Sequence, residues 1–197
     1  MIAGLILAGG KSKRFGSDKR FYELNGKTFL EIACEKIRKV CNKNYIVVDK
    51  YFTDKQIDSG AFVILRDLEE GKGPLMGIYS ALFQIPDEGC LVIPVDMPSL
   101  SISFLRYIKE LTNFFDLVVT YSYEPLPLPG FYSKKLLPLI SSILENGIFS
   151  IKSLVTQVEN NNKLKVLKLS FDDIKRFGSP GQSLFNVNRA EDLEKLR

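Results

Sequence analysis

An apolar run, Leu5 to Ala8, ends at Gly9 and Gly10, and five cations follow almost at once: Lys11, Lys13, Arg14, Lys19 and Arg20, with Asp18 the one carboxylate among them. Glycines lack side chains, so their backbone N–H groups can approach a ligand closely, and cations can then surround its phosphates. A solvated basic loop that merely turns the chain is the alternative. The density of glycine and cation favours an anion site. A second candidate lies in "LVIPVDMPSL" (91–100), where a strand pattern delivers Asp96 at its carboxyl end. A carboxylate there suits a hard cation such as Mg²⁺, although it could also close a turn with its own side chain. The basic loop beside it tips the balance toward metal. Asp67, just after "FVIL" (62–65), is a third strand-end acid for which a turn role and a ligand role stand equal.

Familiar phosphate motifs do not fit. The lone "GKT" (26–28) has Phe21 where a P-loop needs glycine, so "NGKT" reads as a turn leading into a helix. "GKGPLMG" (71–77) is one residue too long for a dinucleotide fingerprint, yet it supplies three glycines for close approach to a ring or a sugar.

Composition removes whole classes of chemistry. The chain of 197 residues has no histidine, which excludes Ser-His-Asp triads, histidine-ligated zinc and histidine phosphotransfer. Its three cysteines, Cys34, Cys41 and Cys90, have no CxxC spacing and read as packed thiols rather than a zinc site or disulfides. The net charge of +4 is mild, and the cations form no long run of the kind nucleic acid would need. Apolar stretches are too short to span a bilayer, and Ile2 to Ala8 reads as a first strand rather than a signal peptide. The expectation is a cytoplasmic protein with no nucleic-acid or membrane partner.

The elements that must position these residues follow from hydrophobic periodicity. Strand-like runs at 4–8, 45–49, 62–65, 91–96 and 116–121 are largely apolar on both faces, as in a buried parallel sheet. Helical patterns lie between them at 28–41, 75–85 and 103–112, with Ser101 or Ser103 as a cap for the last. The alternation predicts an α/β fold with a mostly parallel sheet and helices on both faces. In such folds ligands bind beyond the carboxyl ends of the strands. "YEPLPLPGFYS" (123–133) reads as a loop or an edge because of its prolines. A helix is expected over 133–145, kinked or started late by Pro138 and ended by Asn146-Gly147. "NNNK" (160–163) reads as a turn and "KLKVLKLSF" (163–171) as a strand. The tail "RAEDLEKLR" (189–197) reads as a short helix capped by Asn188 with Glu191. No repeat or domain boundary appears, so one domain is expected over 1–197.

The residues also carry a resemblance. "LAGGKSKRFGSDK" (7–19) is similar to the nucleotidyltransferase signature L-A-G-G-x-S-x-R-[MF]-G-x-D-K, and "GPLMG" (73–77), "PVDMP" (94–98) and "FNVNRAEDL" (185–193) follow in order. Together they resemble the molybdenum cofactor guanylyltransferase family. The resemblance implies a Rossmann-like nucleotidyltransferase fold that binds GTP and Mg²⁺, transfers GMP to the terminal phosphate of molybdenum-bound molybdopterin and releases pyrophosphate. It implies that Leu7, Ala8 and Gly9 hold the nucleotide by backbone, that Lys19 lies on the phosphates and that Arg14 steadies the triphosphate. Asp67 becomes a nucleotide-contacting acid and Asp96 the magnesium ligand. Asn186 and Asn188 fall near the pterin, and Leu75 and Gly77 along the guanine. The resemblance divides the domain into a nucleotide-binding half, 1–100, and an acceptor-binding half, 101–197. A monomer is expected, in transient contact with molybdenum cofactor assembly proteins and molybdoenzymes. The chain departs from the family at Asp49, often Asn; at Arg189-Ala190, usually Thr-Pro; and at Phe149 and Ser150, often arginines for which Lys152 is the nearby cation.

The absent histidine agrees with that chemistry. A phosphomonoester has a second pKa of about 6 and is already anionic at neutral pH, so the attacking group needs no general base. The difficulty is bringing two anions together, which Mg²⁺ and cations address by positioning and electrostatics. Two alternatives share the loop: a sugar-1-phosphate or cytidylyl nucleotidyltransferase, and a non-catalytic nucleotide-binding module. The "FNVN" pair argues against the first. The set Arg14, Lys19 and Asp96 argues against the second.

Overall fold

The computed structural model describes residues 1–9, 18–50, 52, 62–121, 125–188 and 191–192. Arg14 lies outside them, as do Lys11, Lys13 and most of the expected tail helix. The described strands are β1 (Ile2–Leu7), β2 (Glu23–Leu24), β3 (Lys27–Thr28), β4 (Asn44–Val48), β5 (Phe62–Arg66), β6 (Gly89–Pro94), β7 (Leu117–Tyr121), β8 (Pro125–Ser133) and β9 (Val166–Leu169). The helices are α1 (Phe29–Arg38), α2 (Gly73–Gln84), α3 (Ile102–Leu111), α4 (Leu137–Glu145), α5 (Ile151–Glu159), α6 (Phe171–Lys175) and α7 (Pro180–Ser183). Seven strands make one sheet in the order β5-β4-β1-β6-β8-β7-β9, parallel throughout except for β8.

Both faces of this sheet are covered, which is why its strands are apolar at successive positions. On one face Ile6, Ile46, Ile93 and Val118 pack against Phe29 and Ile37 of α1, Phe104 and Ile108 of α3, and Ile174 of α6. On the other, Leu5, Val47, Val92 and Val119 pack against Leu75 and Ile78 of α2, Ile140 of α4 and Leu154 of α5. Among the described residues no helix is long and apolar enough to cross a membrane. Cys41 and Cys90 are buried, Cys34 is half-buried, and all three are free thiols.

Local chemistry sets the element ends. Asn25 and Gly26 take φ of 53° and 75°, the left-handed pair that a tight β2–β3 hairpin needs. Thr28 then caps α1 in a reciprocal capping box with Glu31. Ser101 is the cap of α3. Pro138 falls in the first turn of α4, after a 3₁₀ turn over Lys134–Leu136, so the expected helix starts late rather than kinking. Helices α6 and α7, of five and four residues, are too short to give a period; α5, which buries Ile151, Leu154, Val155 and Val158 at helical spacing, is an element the sequence reading did not include.

The proline segment corrects the sequence expectation. Residues 125–133 form neither loop nor edge but an interior strand, antiparallel to β6 and β7 on either side. The prolines fit because the ladder is interrupted where they occur. Gly130 pairs with Val119 and Leu126 with Thr120, so 127–129 bulge out of register, and Pro125 opens the strand. The Thr120 hydroxyl donates to the Leu126 carbonyl at 2.6 Å, and the buried Tyr132 hydroxyl to that of Pro127 at 2.5 Å. A Cβ at Gly130 would lie 2.7 Å from the Val118 carbonyl oxygen and 2.8 Å from that of Pro127. Gly130→Ala is therefore expected to destabilise the fold by about 1–3 kcal/mol, seen as a lowered Tm. An unchanged Tm would mean that the bulge yields freely.

Candidate active site

Because β5, β4, β1 and β6 run parallel, their carboxyl ends share one side of the sheet. Just beyond those ends stand Asp67, Asp49, Gly9 and Asp96 in turn. Backbone bonds carry the ladder a step past the strands: Ala8 N–H donates to Val47 O (2.9 Å), Asp67 N–H to Val48 O (3.1 Å) and Val95 N–H to Leu7 O (3.3 Å). The strand-end acids are thus held by backbone, not by flexible loops.

Two adjoining cavities open there, sharing Leu7, Gly9 and Pro74. The first, about 410 Å³, is lined by Ala8, Lys19, Arg20, Asp96 and Asn186 among others. Lys19 Nζ sits 2.5 Å from Asp96 Oδ2 and also donates to the Val187 carbonyl at 3.3 Å. Val187 N–H in turn donates to the Asp96 carbonyl at 3.0 Å, and the Val187 side chain is fully buried. The "FNVN" segment is therefore pinned to the end of β6 by its middle residue. This places Asn186 in the cavity lining, from which Asn188 is absent, although both side chains are exposed. The Asn188 backbone N–H donates to Asp192, one residue beyond the expected Glu191.

The second cavity, about 530 Å³, has three acids in its wall, Asp49, Asp67 and Glu70, and no base among its described lining residues. Its other walls are narrow: a Cβ on Gly77 would lie 3.2 Å from Leu7 Cδ2 and 3.4 Å from Asp67 Oδ1. Gly77 lines this cavity as expected for a close approach. Leu75, expected beside it, is buried in the core instead, because it faces the sheet.

Each cavity contains one buried carboxylate oxygen with no hydrogen-bond partner among the described residues: Oδ1 of Asp96 and Oδ1 of Asp67. Such groups are costly unless something pairs with them. Among the described residues no three acids or thiols cluster as a closed metal cage. Asp96 alone, with an oxygen to spare, fits a hard cation that completes its shell from phosphate oxygens and water, which is how Mg²⁺ is commonly held.

Arg20 ties the parts together and was not assigned a role from sequence. Its guanidinium donates to both Asp18 oxygens, to the Ala8 carbonyl at 2.9 Å and to Asp49 Oδ2 at 3.1 Å, and lies 4.5 Å over the Phe52 ring. Burial opposes its charge, but Asp18 and Asp49 outweigh burial and raise its pKa. Asp49, the departure from the family's asparagine, has thus gained an ion-pair partner.

Comparison with known proteins points the same way. The sequence matches the family model for the MobA-like NTP transferase domain over residues 4–161. It is 34% identical over 199 residues to a probable molybdenum cofactor guanylyltransferase of Pyrococcus horikoshii, covering 98% of this chain and 97% of the relative. It is 35% identical over 157 residues to a probable molybdenum cofactor guanylyltransferase of Geobacillus sp. strain WCH70, covering 78% of this chain and 80% of the relative. In structure it resembles molybdopterin-guanine dinucleotide biosynthesis protein A from Archaeoglobus fulgidus, with a TM-score of 0.79 over 100% of this chain and 96% of that chain. At 24% identity that likeness concerns the fold.

Burial, then the charges of Asp49 and Glu70, push the Asp67 carboxyl up to about 6. The folded protein then holds this proton more tightly than the unfolded chain does. The contribution to stability is fully present below the ordinary aspartate pKa and is lost as pH rises through about 6. Carboxyl-carbon NMR is expected to show one aspartate titrating near that pH, absent in Asp67→Asn. The variant is also expected to lose less stability than wild type between pH 4 and 7 in denaturant titrations. A midpoint in the ordinary aspartate range would refute the shift.

Proposed function

The chain belongs to the MobA-like NTP transferase family, and we propose that it transfers GMP from GTP to the terminal phosphate of molybdenum-bound molybdopterin, releasing pyrophosphate. The observation that carries this is the meeting of loop and strand ends in one cleft. Lys19 lies on Asp96, whose second oxygen is left for a cation, and an acid-walled cavity adjoins them.

In this proposal Mg²⁺, held by Asp96 and phosphate oxygens, supplies positive charge where the α-phosphoryl group gains negative charge. The protein's own residues do the rest. The backbone of Leu7, Ala8 and Gly9 holds the nucleotide where strand β1 ends. Lys19 exchanges its contact with Asp96 for the phosphates, and Arg14 steadies the triphosphate from the same loop. Ionised Asp67 accepts hydrogen bonds but cannot donate them. Guanine presents two adjacent donors, the N1–H and the 2-amino group, whereas adenine and cytosine each place a donor beside an acceptor. A half-buried carboxylate at the base therefore selects guanine. Asn186 and Asn188 serve the acceptor, Asn186 from inside the cavity. The enzyme works in the cytoplasm as a monomer, meeting cofactor assembly proteins and molybdoenzymes in passing.

Asp96→Asn is expected to abolish divalent-metal-dependent pyrophosphate release while leaving a native circular dichroism spectrum. Wild-type turnover in this variant would refute the metal role. Lys19→Ala removes one charge-assisted phosphate contact, so transition-state stabilisation, read from kcat/KM for GTP, is expected to fall by about 1.5–3 kcal/mol. An unchanged kcat/KM would remove Lys19 from the phosphates.

A further inference from the structure

Two acids crowd the backbone where the cavities meet. A Cβ on Gly9 would lie 3.4 Å from Asp67 Oδ2 and 3.9 Å from the Asp49 backbone nitrogen. Asp67 arrives from the end of β5 and Asp49 from the end of β4, and both are half-buried. Like charges so placed oppose each other's ionisation. Asp49 has a partner: Arg20 Nη1 donates to its Oδ2 at 3.1 Å. That arginine is firmly held. Its side chain is 12% exposed, both Asp18 oxygens grip it, and it donates to the Ala8 carbonyl at 2.9 Å. It also lies over the Phe52 ring, which stacks on Phe21. Other described charges near Asp67 do not take its place. Glu70 is a further acid of the same cavity. Arg66 turns to the Phe52 carbonyl at 2.8 Å, and Lys72 to Glu69 and the Phe149 ring. From β1 and α2 the cavity receives Gly9 and Gly77, which carry no charge.

We infer that Arg20 is a positioning residue for base selection: by pairing with Asp49 it removes one negative charge from the wall that Asp67 shares, and so keeps Asp67 able to accept hydrogen bonds from guanine. The inference rests on the guanylyl-transfer proposal, in which ionised Asp67 reads the base. Arg20 does this without reaching the base, since it lines the phosphate-side cavity and Asp67 lines the other. Burial and the charges of Asp49 and Glu70 already push the Asp67 carboxyl up to about 6. With Arg20 removed, an uncompensated Asp49 raises it further. A protonated Asp67 both donates and accepts, and so loses its match to the two adjacent donors of guanine.

Asp67 is followed by carboxyl-carbon NMR, without nucleotide, in wild type, Arg20→Met and Arg20→Met/Asp49→Asn. Arg20→Met is expected to raise its midpoint by about one pH unit, and the added Asp49→Asn to return it to about 6 or below. Kd for GTP and for ATP is then measured in Mg²⁺ by calorimetry at pH 6 and pH 8. Both carry the same triphosphate, so their ratio reports the base alone. At pH 6 a shift of that size lowers the ionised fraction of Asp67 from about a half to about a tenth, so Arg20→Met is expected to lose about fivefold in preference for GTP over ATP. By pH 8 the preference is expected to return to within about twofold of wild type, and the double variant to recover it at pH 6. Arg20→Gln, with the same second change, replaces the methionine variant if that one lacks a native circular dichroism spectrum. An unmoved Asp67 midpoint overturns the inference and leaves guanylyl transfer standing. So does an equal loss for GTP and ATP that Asp49→Asn does not recover, which would mark a direct phosphate contact instead. Wild type with no preference for GTP at pH 8 overturns the inference together with the transfer proposal.

Discussion

The contact between Lys19 and Asp96 depends on the pairing of two parallel strands. Strand β1 ends at Leu7, opposite Pro94 of β6, so the loop that leaves β1 and the acid that follows β6 start from neighbouring points. The basic loop is seventy-seven residues from Asp96 in sequence, and only this register brings its lysine to the carboxylate. A slip by one residue would turn every side chain of a strand to the other face, which the two packed cores forbid. Val187 adds the third member, bonded to the Asp96 backbone and to Lys19, so the far end of the chain is fixed to the same point.

Charge is divided between the two cavities in a way that suits the reaction. Lys19 and Arg20 line the first cavity beside Asp96, whereas Asp49, Asp67 and Glu70 line the second. Phosphates and a donor-rich base would therefore be drawn to different compartments joined at Gly9. The protein needs no histidine for this, because an attacking phosphate carries its own charge. Arg20 keeps the division in place by pairing with Asp49 and holding the Ala8 carbonyl, so the acid nearest the phosphate side is neutralised.

Much of this was legible in the sequence because it depends on local chemistry. Strand-end acids are visible where an apolar run stops, and Asp67 and Asp96 lie where that rule puts them. The turn at Asn25-Gly26 and the cap at Thr28 follow from φ preference and hydroxyl geometry. What was not legible depends on contacts between distant elements. Arg20 looked like one more loop cation, since its partners Ala8 and Asp49 lie just past the ends of β1 and β4, which the sequence does not place beside it. Leu75 and Gly77 look alike as motif positions, but the helix turns one to the core and the other to the cavity. The prolines of β8 argued correctly against an unbroken ladder. They could not reveal that the interruption sits inside the sheet, where hydroxyls of Thr120 and Tyr132 take over the freed carbonyls.

The central claim is that this cleft joins a guanine nucleotide, and no other, to a molybdopterin phosphate. Its most direct test is pyrophosphate release with molybdenum-bound molybdopterin as acceptor and GTP, ATP, CTP or UTP supplied one at a time in Mg²⁺. The expected result is acceptor-dependent release with GTP and little with the other three. Clear preference for CTP, UTP or ATP, or GTP binding without acceptor-dependent release, would contradict it.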